Sequence, residues 1–147
     1  MLSIQPGVFE IRDDGSGALI GGWCASSGHY HFPLQDCCPY SGATDVEAVE
    51  LSGVGTLWGW TAVTTAPPGY SGPVPFGFGV VELTDGAGAG LRIITHIDGA
   101  DGSRLEFGQL EFGQKMQLGS LAIATDDEGT DVHTWTFVPV TAFPVPV

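Results

Sequence analysis

Short runs of β-branched and aromatic residues, cut at close intervals by Gly, Pro and Asp, fill the chain, and no stretch repeats its apolar positions at the helical period. The pattern predicts an all-β domain. Its strands run over Val8 to Arg12, Asp45 to Leu51, Gly55 to Thr65, Phe76 to Thr84, Leu91 to Ile97, Lys115 to Ile123 and Val132 to Val140. The breaks are chemically plain: Asp13-Asp14-Gly15-Ser16-Gly17, the loop Pro67-Pro68-Gly69-Tyr70-Ser71-Gly72-Pro73, Asp85-Gly86-Ala87-Gly88, Asp98 to Gly102, and Asp126-Asp127-Glu128-Gly129. Each supplies left-handed backbone positions or side chains that bond their own backbone.

Strict alternation through the third of these strands puts Trp58, Trp60 and Ala62 on one face and Leu57, Thr61 and Val63 on the other, so both faces are apolar. The last strand repeats this, with Trp135 and Phe137 opposed to Val132 and Val138. A barrel interior hides one face of a strand, so the other requires cover by a loop, a small subdomain or a partner protein. A direct repeat, Leu105-Glu106-Phe107-Gly108-Gln109 then Leu110-Glu111-Phe112-Gly113-Gln114, is too short for a solenoid unit and reads as a duplication in a surface connection.

Charge narrows the function. The chain has 147 residues, 4 Lys+Arg against 17 Asp+Glu and a formal net charge of -13. Its mean hydropathy is +0.19, that of a soluble globular protein, and its length suits one domain. A chain of this size buries about 70% of the surface its unfolded form exposes, so a core needs neither disulfide nor metal. Four cations cannot neutralise a phosphate backbone, which excludes nucleic acid and anionic membrane surfaces as partners. No long apolar run and no basic-then-apolar leader are present, and the expected location is cytoplasmic.

Cys24, Cys37 and Cys38 lie close together beside His29 and His31, an odd number that does not suit a secreted disulfide framework. A zinc ribbon presents two C-x2-C knuckles to one tetrahedral ion. Here each knuckle is half present, with Ser27 and Ser41 in the second position after Cys24 and Cys38, and with Phe32-Pro33 between the knuckles.

These residues resemble a family of OB-fold proteins with an N-terminal rubredoxin-like zinc ribbon that associate with acyl-CoA enzymes, the domain of unknown function thirty-five. Its ribbon pattern is met in register at Cys24, Gly28, Phe32, Pro33, Cys38 and Pro39. The resemblance continues through Leu51-Ser52-Gly53-Val54-Gly55-Thr56-Leu57-Trp58, Thr61-Ala62-Val63, Ala66-Pro67-Pro68-Gly69-Tyr70, Pro75-Phe76 and Val80-Val81-Glu82-Leu83. It implies an OB-fold β-barrel over residues 45–147, preceded over 1–44 by an N-terminal strand and a short, degenerate ribbon. The serines depart from the family's four thiolates, so a metal-free ribbon is expected at Cys24, Ser27, Cys38 and Ser41. Zinc would require recruitment of Cys37, His29 or His31. A surviving ribbon would leave Cys24 and Cys38 facing each other, within reach of a disulfide.

The resemblance further implies a non-catalytic accessory subunit of a thiolase-like acyl-CoA enzyme, of thiolase or aldolase type, that helps form its acyl or pantetheine channel. Two copies of each subunit are expected by symmetry. The interface or channel wall would comprise Phe32, Pro33, Trp58, Trp60, Pro67, Pro68, Gly69, Tyr70 and Phe76. Only Arg12, Arg92, Arg104 and Lys115 are cationic, so the partner must hold the phosphates of the CoA thioester. The other readings are a subunit of an enoyl-CoA hydratase complex and a stand-alone small-ligand binder. A stand-alone enzyme built on Cys37 or Cys38 with His29 or His31, or on His96 with Asp98, lacks a complete catalytic constellation. Nothing in the sequence reads the acyl group, whether steroid side chain, aromatic or short oxoacyl.

Overall fold

The structure is a computed structural model and describes residues 1–72, 74–97 and 110–140. Its strands are β1 (Leu2–Ser3), β2 (Phe9–Ile11), β3 (Gly17–Cys24), β4 (His29–His31), β5 (Val46–Glu50), β6 (Val54–Val63), β7 (Phe76–Leu83), β8 (Arg92–Ile97), β9 (Lys115–Thr125) and β10 (Asp131–Pro139). No helix occurs among the described residues, so none is long and apolar enough to cross a membrane.

Antiparallel pairs join β6 to β7, β7 to β8, β6 to β9 and β9 to β10, and a parallel contact of Thr136 and Phe137 with His96 and Ile97 closes the circuit. The result is a closed five-stranded barrel of the OB type, with β1 added in parallel along β10 at Val132 and His133. Closure removes the exposed edges of the five strands. A second, smaller sheet forms where β3 pairs antiparallel with β2, β4 and β5. This sheet runs from Phe9 to Glu50.

Leu57, Val81, Leu83, Ile93, Ile97, Met116 and Phe137 fill the barrel, and Phe9, Leu19 and Leu51 from the small sheet and its exit enter the same cluster. Each such side chain contributes about 1.5–3 kcal/mol on burial. The first fifty residues therefore cover part of the apolar barrel surface from within the chain. Trp135 packs on this cover, with its ring 6.1 Å from Phe9 and edge-on to Phe32 at 5.7 Å.

The expected alternation of β6 does not hold. Leu57 faces Val81 but Gly59 faces Val80, so Trp58 is the extra residue of a β-bulge. Beyond it the faces exchange: Leu57 and Trp60 both turn to the core, while Trp58 stays 44% exposed. Gly79 permits the close approach beside the bulge, since a Cβ there would stand 2.1 Å from the Gly59 carbonyl oxygen.

The second copy of the repeat is no idle connection. Leu110 is buried in the core, and Leu57 is held from both sides, donating to the Gln114 carbonyl and accepting from the Gly113 amide. The first copy, the Asp98 to Gly102 turn and Pro73 lie outside the described residues.

Candidate functional site

The two half-knuckles sit on tight turns in which the Gly28 amide donates to the Cys24 carbonyl and the Gly42 amide to the Cys38 carbonyl, both at 2.8 Å. The turns bring Ser27 Oγ to 3.4 Å from Cys38 Sγ and Ser41 Oγ to 4.0 Å from Cys24 Sγ. The four positions converge, but their polar atoms are already engaged. Cys24 donates to Asp45 Oδ1 at 3.3 Å, and Asp45 also accepts from the Ser26 hydroxyl and amide, each at 2.9 Å. Those bonds from Ser26, then Cys24, hold the Asp45 carboxyl below the usual range. The Ser27 and Ser41 hydroxyls stabilise the Cys38 thiolate and bring its pKa from 9.0 down to about 6.

The other potential ligands point elsewhere. Cys37 is exposed, and all three cysteines are free. His29 stacks on Tyr40 at 4.8 Å, and His31 is buried, accepting from the Gln35 amide through Nε2 at 3.2 Å. Among the described residues no group of three or more His, Cys, Asp or Glu side chains is placed to hold a metal ion. A zinc ion of the family's type does not fit this donor set, because two of its four positions carry neutral hydroxyls.

The second constellation is a pair of adjoining clefts on the outer surface of β7 and β8. One, of about 370 Å³, lies between barrel and small sheet and is lined by Phe32, Pro33, Ile94, Trp135 and others. The second, of about 480 Å³, lies under the loop Pro67-Pro68-Gly69-Tyr70 and is lined also by Val63, Phe76 and Ile123. Phe78 and His96 line both. Seven of the nine wall residues expected from sequence, Phe32, Pro33, Pro67, Pro68, Gly69, Tyr70 and Phe76, border the two clefts. Trp60 packs on the core, and Trp58 lies outside them under the Arg92 guanidinium, 4.0 Å from the ring centroid.

The clefts are largely apolar, and Arg92, which lines the first, is paired. Arg92 pairs with Glu82 at 3.2 Å, and Arg12 pairs with Glu50. Phe78, His96 and Trp135 are additions that the sequence did not single out for this surface. Their placement depends on the register of β7, β8 and β10, in which Phe78 faces His96, and on a Trp135 indole that donates to the Ile94 carbonyl at 2.9 Å. Asp98, the partner considered for His96, lies outside the described residues.

Residues 48–119 match the family described as ChsH2, C-terminal OB-fold domain. A DUF35 domain-containing scaffold protein of Pyrococcus furiosus is 37% identical over 123 residues, which span 83% of each chain. The chain belongs to the DUF35 family. A second DUF35 scaffold protein, of Methanocaldococcus jannaschii, is 33% identical over 70 residues, covering 47% of this chain and 50% of that one. The benzoylsuccinyl-CoA thiolase subunit BbsA of Thauera aromatica is 29% identical over 100 residues, 67% of this chain and 65% of BbsA. Among solved structures, an Ltp2-ChsH2(DUF35) aldolase chain superposes with a TM-score of 0.62 at 26% identity, covering 84% of this DUF35 chain and 86% of its own length.

Proposed function

We propose that this DUF35 protein is a non-catalytic accessory subunit of a thiolase-like acyl-CoA enzyme, assembled as two copies of each subunit, and that its paired clefts form part of the wall of the acyl or pantetheine channel. The carrying observation is the pair of adjoining apolar clefts bordered by the small sheet, β7, β8 and the Pro67-Pro68-Gly69-Tyr70 loop. Relatives that carry the names of a scaffold protein, a thiolase subunit and an aldolase complex support the partner class. A largely apolar, aromatic-walled surface in which Arg92 is paired with Glu82 suits the acyl and pantetheine parts of the substrate, and the partner supplies nucleophile, base and the cations that meet the phosphates. The ribbon serves as a metal-free scaffold held by Asp45, Ser26, Ser27 and Ser41. Coexpression with thiolase-fold enzymes, followed by light scattering, should give a heteromer whose activity or stability falls when this subunit is removed. A monodisperse monomer that ignores every such enzyme would overturn the reading.

A further inference from the structure

His96 stands at the junction of the two clefts, ringed by aromatic side chains. Its imidazole is 5.0 Å from the Phe76 ring, 5.5 Å from Phe78 and 6.3 Å from Tyr70. Nδ1 is buried and has no hydrogen-bond partner among the described residues. Burial also holds the imidazole pKa below its ordinary value, so the ring is neutral at pH 7. A neutral imidazole carries one proton, and the nitrogen that keeps it is the one with an acceptor to give it to. None of the described residues accepts at Nδ1. The tautomer protonated on Nε2 leaves the buried nitrogen as a lone acceptor instead of a lone donor, the lesser penalty, and keeps the N–H on the nitrogen that is not buried unpaired, on a ring that lines both clefts. Largely apolar walls with a few placed polar groups are the usual construction of a small-molecule site; Gln5, Arg92, Thr95 and Thr134 also line the first cleft, and His96 is the polar residue that lines both.

We propose that His96 is the polar anchor of this groove and donates through Nε2 to a carbonyl oxygen of an uncharged, linear ligand whose apolar parts lie in the clefts on either side. The proposal rests on the channel reading above, which makes that ligand the phosphate-free part of an acyl thioester. The carbonyl is that of the thioester or of a pantetheine amide, two sources of one chemistry.

The test uses the full chain and three phosphate-free probes: S-hexanoyl-N-acetylcysteamine, which has both carbonyls; its S-hexyl thioether, which keeps only the amide; and a dialkyl thioether of equal length with neither. Binding is followed by intrinsic tryptophan fluorescence, to which Trp135 in the first cleft contributes with the chain's three other tryptophans, and checked by calorimetry. His96→Phe keeps a ring among the aromatics and removes the donor. It should weaken the first probe about tenfold, the worth of about 1.4 kcal/mol and within the range of one neutral hydrogen bond. The probe without carbonyls should bind wild type and variant alike. A loss shared by the amide-only probe assigns the bond to the pantetheine amide, and a loss confined to the first probe assigns it to the thioester. His96→Gln, which retains an N–H donor, should recover part of the affinity and guards against a folding defect in the phenylalanine variant. Absence of saturable binding up to the solubility limit, or equal loss for all three probes, would overturn the proposal. Assembly with the thiolase-fold partner, measured separately on His96→Phe, keeps this failure distinct from failure of the subunit reading.

Discussion

Substituting Trp58 and Trp60 in turn should separate a partner contact from a core residue, because the bulge sends the two rings to opposite sides of β6. Trp58 retains 44% exposure. Of the roughly 250 Å² a tryptophan can bury, about 110 Å² therefore remains for a partner to cover. At about 25 cal/mol per Å² this is about 2.7 kcal/mol, close to a hundredfold in Kd. In the free chain the ring gives up chiefly its contact with Arg92, about 0.5–1 kcal/mol for an exposed cation over an aromatic face. Trp58→Ala should thus leave the urea midpoint of the free chain nearly in place while weakening association with the enzyme subunit about a hundredfold by calorimetry. Trp60→Ala empties a position packed on the core and should lower stability by about 3–5 kcal/mol. If Trp58→Ala binds the partner within about threefold of wild type, Trp58 stays wet in the complex and the reasoning fails.

Gly22→Ala should dismantle the small sheet, since the added Cβ would stand 2.3 Å from the buried His31 ring; loss of amide protection confined to β3, β4 and β5 in hydrogen exchange is the expected signature, and full protection would count against it. The Cys38 thiol has its pKa depressed in the folded state, so its contribution to stability is complete above the unfolded value near 9.0 and is lost as pH falls through about 6. The melting temperature should therefore rise between those limits, with a slope that Cys38→Ala reduces; an unchanged slope would refute the assignment. Elemental analysis should find far less than one zinc per chain, and a chelator should leave the melting temperature where it was. Stoichiometric zinc would show that the Asp45 network does not replace the ion.

The barrel strands were legible because they are short β-branched and aromatic runs that Gly, Pro and Asp bound. β3 was not, for a physical reason: Gly17, Gly21 and Gly22 look like turn residues. They are close-approach positions, where a Cβ would meet the Phe9 ring, the His31 carbonyl oxygen and the His31 ring. β4 and β1 are too short to carry a period. The bulge at Trp58 was equally hidden, since one extra residue in a strand leaves no mark until its partner's register is known. The groove was half legible. Phe32-Pro33 and the Pro67-Pro68-Gly69-Tyr70 loop stood out by composition, whereas Phe78, His96 and Trp135 come together only through pairings among β7, β8 and β10.

The position of β10 also sets the order in which this protein is able to complete itself. The strand touches β1, β8 and β9, and it is the last of the described strands to leave the ribosome. Until Asp131 to Pro139 emerges, β8 and β9 each present an unpaired edge and Leu2 and Ser3 have nothing to dock on. Closure thus waits on the pairing of β10 with β8 and β9, and non-local pairing of this kind makes folding slow and leaves nascent chains open to edge-to-edge association. A cell making this subunit faces that exposure on every polysome, and synthesis beside a waiting enzyme partner would shorten it.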